Sequence, residues 1–217
     1  MGLIDSNGVW QEDQGRIEGI VLEYFATIFK LDFPTSFEAS LSAINICVTP
    51  EMNDELLADF KANEVTRAIN QMHPTKSPGP DGMSSIFYKK YWDLVGFDVI
   101  NCVLNVLNDG VLPSGLNETY ICLIPKVKNP QKITEFRPIS LCNVLYKIIA
   151  KVLAIQLKKV LAVVINKSQS AFVPGRLITD NVLVAFETMH CIDQRKKGKE
   201  ALMAIKLDMS KAYDRVE

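Results

Sequence analysis

Three groups of residues in this chain have the types and spacing to handle a charged substrate. The first is Asp208, which closes residues 201–207, a run whose only charge is Lys206. Met203, Ile205 and Leu207 share one alternating face, and Leu202 and Ala204 share the other. The run therefore predicts a central strand covered on both sides. A carboxylate where such a strand leaves its sheet suits a metal ligand, because open sheets build their sites there. It equally suits an N-cap for a helix beginning at Ser210-Lys211-Ala212-Tyr213. The second group is Lys126 and Arg137, which bracket a strand–loop–strand pattern. A point charge beside a planar fork suits a polyphosphate, although ordinary hairpin surface charge gives the same pair. The third is Lys147, Lys151 and Lys158, which on a helix fall within about 40° of one another and form one basic stripe.

Those residues need elements to hold them. Ile17, Ile20, Val21, Tyr24, Phe25 and Ile28 recur at helical spacing, so residues 15–30 predict an amphipathic helix. A looser stretch with Pro34 and Pro50 follows, then short helices near 52–60 and 63–72. Residues 74–82 form a turn-rich loop in which Gly79 and Gly82 can supply positive φ. Helices at about 84–94 and 97–109 end at Gly110 and Pro113. Residues 119–126 predict a strand, 127–133 a loop, and 134–140 a second strand with Pro138 at its end. A long helix over about 143–165 and another near 178–195 complete the chain before residue 201. The expected class is α+β.

At 217 residues and 48% hydrophobic, the chain can bury a core for one large domain or two small ones. The net charge of −1 conceals an asymmetry. Residues 1–119 hold 7 Lys and Arg against 17 Asp and Glu, and residues 120–217 hold 17 against 8. That division suggests an acidic or neutral appendage and a basic half that meets an anion. Five widely spaced cysteines, with no CxxC pair and two histidines, argue against zinc. They fit reduced thiols in the nucleus or cytoplasm. The longest apolar stretch, residues 144–165, is cut by Lys147, Lys151, Lys158 and Lys159, so no membrane span is expected.

In order, "KSPGPDG" (residues 76–82), "LIPKVKNP" (123–130), "FRPISL" (136–141), "YKIIAKVLAIQLKKVL" (146–161), "QSAFVPGRLITDN" (169–181) and "KLDMSKAYDRV" (206–216) resemble the reverse transcriptase of LINE-type, non-long-terminal-repeat retrotransposons, in its plant-like branch. Residues 8–30 are similar to the helical linker that precedes that polymerase. The resemblance implies a linker over 1–62, a fingers region over 63–199 and the start of a right-hand polymerase palm over 200–217.

By position, the resemblance makes Asp208 the first catalytic aspartate, a ligand of two Mg2+ ions joined by the backbone carbonyl of Met209. Tyr213 becomes the aromatic under the incoming sugar, which rejects a 2′-hydroxyl by bulk. Lys126 and Arg137 become the grip on the triphosphate, and the segment from Gln169 to Arg176 lies along the template. Asp214 looks structural. The implied partners are an RNA template, a DNA primer and deoxynucleotides.

The family's Tyr-Ala-Asp-Asp hairpin and thumb do not occur before Glu217. Two-metal chemistry draws carboxylates from more than one strand, so the expectation is an N-terminal fragment, inactive alone. Two other outcomes stay open, a non-catalytic nucleic-acid-binding module and a remnant without function. Ala171, where other branches carry Gly, is a smaller departure.

Overall fold

A computed structural model describes residues 2–31, 36, 38–42, 44–195 and 202–208. The order of elements is β1 (Leu3–Ile4), β2 (Trp10–Gln11), α1 (Gln14–Ile28), α2 (Glu38–Leu41), α3 (Pro50–Leu57), α4 (Ala62–Gln71), α5 (Ser85–Lys90), α6 (Trp92–Asp109), β3 (Thr119–Pro125), β4 (Phe136–Cys142), α7 (Val144–Leu157), α8 (Leu161–Val164) and α9 (Ile178–Gln194). A 3₁₀ turn, Ile133–Glu135, leads into β4. Helices and two small antiparallel sheets make the fold α+β.

The core lies among α4, α5, α6 and α7. Val65, Ile69, Val103, Val144, Ile148 and Val152 are buried almost completely there. Each contributes roughly 1.5–3 kcal/mol by leaving water. α4 starts well because Glu64 reaches back to accept the Lys61 backbone N–H at 2.9 Å, the N-terminal half of a capping box. α3 joins through Gln156, whose Nε2 donates to the carbonyls of Glu55 and Leu56 at 3.2 and 3.3 Å. The charge boundary near Thr119 is therefore not a structural one. The acidic half is no appendage, because α4 and α6 bury the same face of α7.

Several boundaries differ from expectation. The break between α5 and α6 falls at Tyr91, and Gly96 sits inside α6. A Cβ at Gly96 would lie 2.9 Å from the Trp92 indole, so this glycine makes room for a ring rather than ending a helix. α6 does end at Gly110, whose φ of 71° is the left-handed C-terminal conformation glycine adopts freely. The helix from residue 143 stops at Leu157, without Gly or Pro, in a turn that buries Val160. Lys159 pairs with Glu55 at 3.2 Å just there. Pro138 lies mid-strand opposite Leu123. A two-stranded ribbon has only edges, so the missing N–H costs little.

The largest correction concerns the central strand expected over residues 201–207, of which 202–207 are described. They have no strand partner among the described residues, and Met203, Ile205 and Leu207 are 79%, 70% and 90% exposed. An apolar run forms a central strand only where neighbours offer hydrogen bonds on both edges and cover on both faces. The described residues offer neither.

At the other end, the amino-terminal segment braces the β3–β4 hairpin. The Ile4 N–H donates to the Gln131 carbonyl at 2.8 Å. α1 lies against the 3₁₀ turn, and Leu3, Phe25, Ile28, Ile133 and Phe136 are buried.

Candidate functional site

β3 and β4 pair with Ile124 opposite Arg137, and the ladder continues as the Lys126 N–H donates to the Glu135 carbonyl at 2.8 Å. Side chains alternate along a strand, so residues 124 and 126 share the face of 135 and 137. Lys126 and Arg137 are thus diagonal neighbours on one face of one ribbon. Tyr120, Ile124 and Ile139 belong to that face and are exposed. The Arg137 guanidinium has no hydrogen-bond or ion-pair partner among the described residues. Lys126 Nζ donates to the Thr134 carbonyl at 3.0 Å.

Glu135 shapes the hairpin tip by accepting the Gln131 and Lys132 backbone N–H groups at 2.7 and 3.1 Å. Those two bonds, that from Gln131 first, hold its carboxyl below the ordinary glutamate range. At the other end of the ribbon Asn143 is a junction. Its Oδ1 accepts the Asp81 N–H at 3.2 Å, and its Nδ2 faces the carbonyls of Gly115 and Leu116 at 3.4 and 3.5 Å. Gly79 packs so closely on Asn143 and Cys142 that a Cβ would overlap their backbone. Only Gly82 of the two loop glycines has positive φ, at 70°. Gly79 is needed for close approach instead.

The basic stripe is partly engaged. Lys147 Nζ donates to the Ser77 carbonyl at 2.7 Å, tying down the same loop. Lys151 is half-buried on α7, and Lys158 is the exposed residue that closes that helix.

Arg176 organises the segment after α8. Nη1 donates to the carbonyls of Asn166 and Gln169, and Nη2 to those of Ala162 and Ile165, at 2.5 to 3.3 Å. Helix ends leave carbonyls without partners, and one guanidinium serves several here. Gln169 is exposed, its Nε2 donating to the Ala171 carbonyl at 3.3 Å. Ser170, 5% exposed, donates to Asn181 of α9 at 3.0 Å. Between buried Ser170 and buried Val173 stands Phe172, with φ at 64° and its side chain 96% exposed. Left-handed backbone costs a bulky residue roughly 1–2 kcal/mol.

Asp208 is exposed, and no group of three His, Cys, Asp or Glu suited to a metal occurs among the described residues. The described residues do not by themselves form a metal centre. Met209, Tyr213 and Asp214 lie outside the described residues. Sequence reasoning overlooked Asn143 and Phe172. Asn just before a helical run signals an N-cap, but its cross-chain bonds carry no local signature. A positive φ at phenylalanine has none either.

Residues 124–217, which include Arg137 and Asp208, match the family model described as reverse transcriptase (RNA-dependent DNA polymerase). Over that carboxy-terminal stretch this chain is similar to reverse transcriptases. It is 32% identical over 217 residues to the "Transposon TX1 uncharacterized 149 kDa protein" of Xenopus laevis. That alignment takes in 99% of this chain and 16% of the relative, so the similarity extends through the amino-terminal helices as well. Reverse transcriptases are divalent-metal-dependent polymerases that copy an RNA template with nucleotide substrates. No described helix is long and apolar enough to cross a membrane.

Proposed function

We propose that this chain supplies the nucleotide-gripping and template-guiding part of a non-long-terminal-repeat retrotransposon polymerase that copies RNA into DNA. The observation that carries this reading is the shared open face of Lys126 and Arg137, the latter a guanidinium with no protein partner among the described residues. A free fork and an ammonium on one ribbon fit a triphosphate, whose charge needs cations held in place. Residues 169–176 and the lysines of α7 guide the RNA, and a DNA primer completes the substrate set. Residues 1–62 serve as linker, 63–199 as fingers and 200–217 as the start of the palm, in the interior of the cell.

In the assembled palm Asp208, the Met209 carbonyl and Tyr213 would hold Mg2+ and the incoming sugar. Magnesium supplies charge neutralisation and a template for in-line transfer. Assignment to the plant-like branch rests on motif wording alone, while the relative described above is amphibian.

The test is RNA binding by the 217-residue protein across a salt series. Phosphate contacts make log affinity for a single strand fall with log salt by about 0.7 per contact. A slope corresponding to several contacts, reduced when Lys151 and Lys158 become Gln, is expected. Binding that ignores salt, or no binding, would overturn the template part of the reading.

A further inference from the structure

The amino-terminal segment, α1 and the hairpin tip do not close completely on one another. Between them lies a cavity of about 540 Å³, open to solvent, which neither the nucleotide-gripping nor the template-guiding residues line. Ligand sites are commonly concavities of about 300–1,000 Å³, mostly apolar with a few placed polar groups. This one has that make-up. Ile4, Ile20, Ile28 and Ile133 supply apolar lining, and the last two are buried. Asp5 joins them from the turn after β1, and Glu23 from α1.

The two carboxylates differ in how they are held. Asp5 accepts the N–H groups of Asn7 and Val9 at 3.0 and 2.9 Å and Nε2 of Gln11 at 2.7 Å. Those bonds, that from Val9 first, keep its carboxyl below the ordinary aspartate range, so it stays charged. A carboxylate has about four acceptor positions, and the fourth, on Oδ2, is left over. The Glu23 carboxylate has no hydrogen-bond or ion-pair partner among the described residues. Lys132, the basic residue of the lining, lies in the field of Glu135 at the hairpin tip. Two anionic groups from different elements, with isoleucine lining beside them, complement a methylene chain that carries an ammonium at each end.

We propose that this cavity binds a linear alkyl diamine or polyamine, its ammonium groups on Asp5 and Glu23 and its methylenes on the isoleucines. The site stands apart from the nucleotide reading, yet an occupant reaches the same ribbon. Ile133 and Thr134 belong to the lining, and the Thr134 carbonyl accepts Lys126 Nζ at 3.0 Å. A ligand that touches α1 and Thr134 together ties the amino-terminal segment to the tip that carries Lys126.

Calorimetric titration of the 217-residue protein with cadaverine, a five-carbon diamine, tests this. Amines also gather loosely on any acidic surface, and residues 1–119 hold 17 Asp and Glu. Thr27→Phe separates the two cases, because it puts a ring into the cavity from an exposed position on α1 and leaves every charge in place. It should abolish saturable binding while melting as the parent does. Glu23→Gln should weaken binding about tenfold, the loss of one charge-assisted bond. Pentylamine, with a single ammonium, should bind more weakly than cadaverine. Bound cadaverine should slow hydrogen exchange most at residues 126–137. Saturable binding that survives Thr27→Phe, equal affinity for pentylamine, or no saturable binding overturns the proposal, whatever becomes of the nucleotide reading. Hairpin exchange that ignores the ligand overturns the link to Lys126.

Discussion

Helices α7 and α9 have similar lengths, 14 and 17 residues, and both are rich in apolar side chains. Their surroundings differ completely. α7 buries Val144, Ile148, Ile149 and Val152 against α4 and α6, and Gln156 against α3. α9 buries nothing among the described residues, and Leu183, Val184 and Phe186 are 59%, 63% and 69% exposed. Sequence period makes a helix in both cases, whereas burial depends on what stands beside it. The first region carries the stability of the molecule, and the second presents surface.

The sharpest way to break that contrast is to truncate one residue on each helix. Ile148→Ala should cost about 2–5 kcal/mol in urea unfolding, since it empties a closed core. Leu183→Ala should stay within about 0.5 kcal/mol. Equal losses would show that α9 is packed in solution.

A smaller effect is expected at Arg176, which orders the loop leading to α9. Arg176→Lys keeps the charge, but a compact ammonium cannot serve four carbonyls. A loss of about 1–3 kcal/mol is expected. Faster hydrogen exchange should be confined to residues 162–176, with the α4–α7 core unchanged. Exchange that quickened throughout would couple the two regions.

The mildest test lies at the hairpin tip. The folded Glu135 carboxyl titrates below its ordinary range because two backbone N–H groups favour the charged form. Its contribution is therefore fully present above the unfolded-chain value and lost as pH falls through the folded one. Glu135→Gln should flatten that part of the acid dependence of stability and leave the neutral-pH hairpin otherwise intact. An unchanged acid profile would refute the assigned role.

Much of this was legible in sequence because it is local. α1 follows from apolar spacing, α3, α4 and α9 stand close to the helices expected near 52–60, 63–72 and 178–195, and the hairpin follows from the strand–loop–strand pattern around Asn129 and Pro130. Its register then puts Lys126 and Arg137 on one face without further assumption. What escaped depends on distant partners. The end of α7 is decided by Glu55 and Val160, and the role of Gly79 by Asn143. The run before Asp208 has strand composition but, among the described residues, no strand to join. For the site, residue types were readable and their engagement was not. Arg176 and Lys147 look like free cations on paper, yet both are bonded to backbone carbonyls.

The β3–β4 ribbon is a beam clamped at two supports. Its loop end rests on the amino-terminal segment through Ile4 and Gln131, and its far end meets the Asn143 junction. Two-stranded ribbons are marginal when isolated, so the supports, rather than the ribbon's own ladder, set how far its span can flex. Lys126 and Arg137 sit near the loop-end support. Loosening the contact between residues 2–28 and the hairpin would therefore let both cations swing, although neither lies in the segment that moved.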